Sequence, residues 1–94
     1  MALYLISYDI ADKDAFEYQN LWNHLEEMGA IKILYSEWAI VQNTGQASSI
    51  YSEIAPLTLK TDRLLVQELT KDAYWDKLLI ENDVFNQLLT NARG

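Results

Sequence analysis

Cysteine is absent from this chain of 94 residues, and proline and histidine occur once each. Without cysteine there is neither a disulfide framework nor a thiolate metal site, and an intracellular setting is the simplest reading. With one histidine and no cysteine, a zinc site of the usual kind lacks its ligands. A Ser–His–Asp triad would have to use His24, and no nucleophile elbow accompanies it. Basic residues are also few: Lys and Arg number 7 against 14 Asp and Glu, for a net charge of −7. No two of them are adjacent. Phosphate backbones are held largely by Lys and Arg, so this balance disfavours nucleic acid unless a local basic patch or a metal assists. No apolar run approaches the roughly 18–20 residues of a membrane span. The start, Met1-Ala2-Leu3-Tyr4, lacks the basic region of a secretory signal, so no membrane role and a cytoplasmic location are expected.

What the chain does hold is apolar mass. Half of its residues are hydrophobic, enough for a packed core, and its length suits one domain. Leu3 to Ile10 reads LYLISYDI, a buried strand that delivers Asp9 at its end. Asp14 and Glu17 have the spacing of a capping box. Tyr18, Leu21, Trp22, Leu25 and Met28 then repeat at three and four, which makes one face of a helix, and Gly29 suits the residue that stops it. Ile31 to Tyr35 and Trp38 to Gln42 are two strands joined at Ser36-Glu37, as a tight hairpin or a continuous bent ribbon. Thr44 is placed to cap a second helix bearing Ala47, Ile50, Ile54 and Leu57, which Pro56 limits. Arg63 to Leu69 is a fourth strand, and Val84, Phe85, Leu88 and Leu89 point to a short third helix. Tyr74-Trp75 reads as a turn or a short edge strand.

The order strand, helix, strand, strand, helix, strand predicts an α+β fold, a ferredoxin-like βαββαβ sandwich. The whole chain, 1–94, reads as a single domain with its core over about 3–70 and a C-terminal extension over 71–94. Strand one carries apolar residues on both alternating sets, Leu3 and Leu5 against Tyr4, Ile6 and Tyr8. A sheet with one solvated face would alternate more cleanly. Either the extension folds over the second face or a second copy covers it, and a homodimer is the favoured expectation.

These elements carry a resemblance. Tyr4-Leu-Ile-Ser-Tyr-Asp-Ile10 looks like the opening strand of the CRISPR-associated Cas-two-like family, and Leu34-Tyr35-Ser36-Glu37-Trp38 resembles its second and third strands. Gly29, Ser36-Glu37-Trp38 and Asp62-Arg63-Leu64-Leu65-Val66 are closest to its SinR-like relatives. The resemblance covers residues 3 to 70 and implies a ferredoxin-like homodimer with an aspartate ending strand one. In some members that aspartate, paired with its copy, holds a divalent metal for phosphodiester cleavage. In others the protein mainly scaffolds a larger complex.

The matching residue here is Asp9, the candidate catalytic and metal-binding residue of a metal-dependent endoribonuclease or deoxyribonuclease. Mg²⁺ or another divalent ion suits one hard carboxylate, because it keeps several waters, and it could activate water and neutralise phosphate charge. The plainer reading is a strand-end aspartate that caps a turn. Ser7, on the same strand face, could hold a metal-bound water or simply pack. The basic stretch that follows the aspartate in nuclease-like members is here Ile10-Ala-Asp-Lys-Asp-Ala-Phe16, one lysine between two acids. This favours the alternative of a non-catalytic dimeric scaffold or protein-interaction module of a CRISPR or related antiviral defence system. An acidic mimic of nucleic acid ranks third, because the acids are not in blocks. Tyr8 and Trp22 read as core, Trp38 as an interface residue, and Trp75 as a tail pin or a partner anchor. Asp12 and Asp14 read as acids that end the loop and complement the helix dipole or add acidity around a metal, Phe16 as an exposed contact or a staple to the loop, and Arg63 as the ion partner of adjacent Asp62 or of a phosphate.

Overall fold

The computed structural model describes residues 1–10, 15–43 and 47–93, with the side chains of 15–17 left aside. The elements are β1 (Ala2–Asp9), α1 (Ala15–Glu27), β2 (Ile31–Leu34), β3 (Glu37–Gln42), α2 (Ala47–Ile54), a short 3-10 turn (Ala55–Leu57), β4 (Arg63–Leu69) and α3 (Asn82–Arg93). The fold is α+β. The four strands form one antiparallel sheet in the order β2-β3-β1-β4. The acids Asp12 and Asp14, the Asp14–Glu17 capping box, the Thr44 cap and the Phe16 contact lie outside the described residues.

Each boundary has a local cause. Gly29 sits at φ +90°, a conformation that disfavours a side chain. Its N–H bonds the Glu26 carbonyl and that of Ala30 bonds the Leu25 carbonyl, both at 3.0 Å. This pair of bonds closes α1 as a Schellman cap. Pro56 falls within the 3-10 turn that ends α2, because it has no N–H to continue the helical ladder. The β2–β3 hairpin turns at Tyr35-Ser36, with a register shift between Lys32 and Leu34.

The alternation of β1 builds two cores. Ala2, Tyr4, Ile6 and Tyr8 pack with Trp38 and Ile40 of β3, with Tyr18, Leu21 and Leu25 of α1, and with Ile50 and Ile54 of α2. Leu3 packs on the opposite face with Ile33, Ala39, Phe85 and Leu89, and Leu5, Leu69, Trp75 and Leu78 close around them. The second face is therefore covered by the chain's own extension, up to Leu5. The Leu79 N–H bonds the Ile33 carbonyl at 2.9 Å, which ties the extension to β2, and the Arg93 guanidinium bonds the Lys71 carbonyl, which joins the two ends of the extension. Trp75 meets Phe85 edge-on at 4.7 Å between centroids, and its indole N–H reaches Asn82. It pins the tail, whereas neighbouring Tyr74 is fully exposed.

Candidate functional site around Asp9

Asp9 ends β1 on the face of Leu3, Leu5 and Ser7, beyond the part that the extension covers. Its register partner on β4 is Arg63. Directly paired antiparallel residues bring their side chains together on one face. The Arg63 guanidinium accordingly donates to the Asp9 carboxylate at 2.9 Å. Both side chains are largely in water, 84% exposed for Arg63 and 69% for Asp9. An exposed pair of this kind contributes about 0–1 kcal/mol.

The pairing differs from the expected Asp62–Arg63 contact. Adjacent residues of a strand point to opposite faces, so Asp62, at the strand entry, goes elsewhere. It accepts the Tyr18 hydroxyl at 3.0 Å and the Leu59 N–H at 2.8 Å, fastening the α2–β4 connection to α1.

Ser7 donates to Glu37 at 2.5 Å across the β1–β3 pair. Glu37 is thus a carboxylate on the Asp9 face that the sequence reading passed over. The signal available was the hairpin register, which sets Glu37 opposite Ser7. Asp9, Ser7, Arg63 and Leu65 line a shallow depression of about 260 Å³.

A divalent ion fits this set poorly. The Asp9 oxygen facing β4 already has a guanidinium against it, and an entering cation would first have to displace that charge. Ser7 is committed to Glu37. Among the described residues, no three His, Asp or Glu side chains gather as a metal-binding group.

His24 lies away from Asp9, on α1, with its Nε2 3.0 Å from Glu53 on α2. It is a helix-to-helix contact. Trp38 is buried at 4% exposure and faces the helix layer, not an interface. It is the register partner of Ile6 and so shares that residue's face.

On the other side of Asp9 is a second cavity, of about 360 Å³, lined by Tyr8, Asp9, Ile10, Tyr18, Trp22, Tyr35 and Ser36. Tyr8 is buried, and its phenol oxygen accepts the indole N–H groups of Trp22 at 3.1 Å and Trp38 at 3.0 Å. Lys32, on β2, holds its ammonium 5.9 Å from the ring centroids of both Trp22 and Tyr35. The aromatic character of Tyr8 and Trp22 was legible in the sequence. Their convergence with Tyr35 was not, because it depends on how the hairpin meets α1.

Among the described residues, no helix is long and apolar enough to cross a membrane. No protein-family model matches this chain, and no solved structure matches it either.

Proposed function

We propose that this chain is a ferredoxin-like, non-catalytic homodimeric module of the Cas-two-like kind, closest to the SinR-like relatives, serving as a protein-interaction scaffold in a CRISPR or related defence system. Support for the architecture comes from the order β2-β3-β1-β4 with β1 antiparallel to both neighbours, the arrangement expected of a split βαβ unit. The observation that carries the functional half is the Asp9–Arg63 pair. It sets a positive charge against the aspartate that the resemblance singles out, which supports the non-catalytic reading. The net charge of −7 points the same way, because a phosphate backbone would be repelled. For the dimer, the support is the end of the second face that the extension leaves open, where Leu65 is 53% exposed beside Ser7.

The test compares divalent-metal-dependent cleavage of single-stranded RNA and of duplex DNA by the wild type and by Asp9→Ala. The expected result is no cleavage by either. Cleavage by the wild type that Asp9→Ala abolishes would overturn the scaffold reading and restore the endonuclease with Asp9 as metal ligand. Light scattering across a concentration series tests the dimer, and a constant monomer mass would contradict it.

A further inference from the structure

The cavity at the end of β1 is lined by a phenol whose O–H has no acceptor among the described residues. A phenol oxygen has one O–H to give and two lone pairs to accept with. On Tyr8 both lone pairs face indole N–H groups, from Trp22 and Trp38. Indoles only donate, so the Tyr8 proton must find another acceptor. Its side chain makes no other hydrogen bond among the described residues. Tyr8 is 6% exposed, so bulk solvent does not readily supply one. Tyr8 also lines this cavity.

The rings of Tyr18, Trp22 and Tyr35 and the side chain of Ile10 share the walls with Asp9 and Ser36. Aromatic walls can also cage a cation. That is disfavoured here, because the Lys32 ammonium already lies against Trp22 and Tyr35 and would repel a second positive charge. The Asp9 carboxylate is taken by Arg63. At about 360 Å³ the space is near the small end of ligand pockets, which run from roughly 300 to 1,000 Å³.

We propose that this cavity binds a small planar aromatic ligand, one or two rings in size, through an acceptor oxygen that takes the Tyr8 O–H. Tyr18, Trp22 and Tyr35 supply the apolar walls. The two N–H bonds into the phenol oxygen polarise its O–H and make it a better donor. The acceptor is either a ring carbonyl or a carboxylate, and Lys32 favours the anionic form.

The test is nitrogen-resolved NMR of the three indole N–H signals during titration with benzoate, with uracil and with benzylamine. Benzoate offers a carboxylate and uracil a neutral carbonyl, whereas benzylamine offers a ring and a cation without an acceptor. Saturable shifts of the Trp22 and Trp38 signals with benzoate or uracil are expected, with Trp75 unmoved. The stronger of the two probes identifies the acceptor. Tyr8→Phe should weaken binding by about tenfold or more. Tyr35→Ala, at a wall residue that is 82% exposed, should weaken it with the fold intact. The proposal is overturned if neither acceptor-bearing probe gives saturable shifts at millimolar concentration, or if benzylamine binds as well as they do. Full affinity in a folded Tyr8→Phe protein would also overturn it. Should Tyr8→Phe fail to fold, unchanged affinity in Tyr35→Ala would do the same.

Discussion

Along β1, the even residues from Ala2 to Tyr8 are all buried under α1 and α2, whereas the odd residues grade from fully buried Leu3 through half-buried Leu5 and Ser7 to exposed Asp9. The strand is the same, so the difference lies in what covers each face. Two helices and the α2–β4 connection reach the whole length of the even face. The odd face has the extension alone. Its helix, α3, has 12 residues and spans about 18 Å at 1.5 Å per residue. The 8 residues of β1 span about 26 Å at 3.3 Å each. The extension stops short of the strand's end, and the uncovered remainder is where Ser7, Asp9 and Arg63 sit. Asp9 is exposed for want of a roof.

Truncation in each core should separate the two faces most sharply. Leu21→Ala, at a fully buried position under the helix layer, should cost about 4 kcal/mol in urea or guanidinium unfolding. Leu89→Ala, the matching change in the extension, should cost about 2 kcal/mol, because its site is 8% exposed and lies at the edge of a thinner layer. Equal costs, or the reverse order, would break the comparison. A smaller effect comes from Gly29→Ala, about 1 kcal/mol measured the same way. No heavy atom lies within 4 Å of the added Cβ, so the loss is backbone conformation at φ +90° and nothing else. Smallest of all, Asp9→Ala should shift unfolding by less than about 0.5 kcal/mol, because the ion pair it removes is exposed on both sides. A larger loss would mean that the open end of the odd face is better ordered than its exposure implies.

Much of the fold was readable because it rests on short-range patterns. The period of Tyr18, Leu21, Trp22 and Leu25, the stop at Gly29 and the apolar run of β1 each follow from backbone geometry over a few residues. The third helix extends beyond its apolar signal, since Val84 to Leu89 carry that signal while polar Asn82, Asn91 and Arg93 lie towards its ends. Trp38 was misassigned because its face depends on the β1–β3 register, which strand composition does not reveal. At the candidate site, Asp9 and Ser7 were legible as a strand-end pair. Their partners, Arg63 and Glu37, lie 54 and 30 residues away and were found only through strand pairing.

By itself, the sequence determined that β1 would be apolar on both sides, that helices would flank the hairpin, and that an aspartate would end the first strand. Those are consequences of hydrophobic periodicity and of residues such as Gly29 and Pro56, which act locally. Only the tertiary structure decided that the extension covers half of the second face, that Asp9 meets Arg63, and that two indoles converge on Tyr8. Each of those depends on which strand pairs with which and in what register, a choice made by the packing of the whole chain.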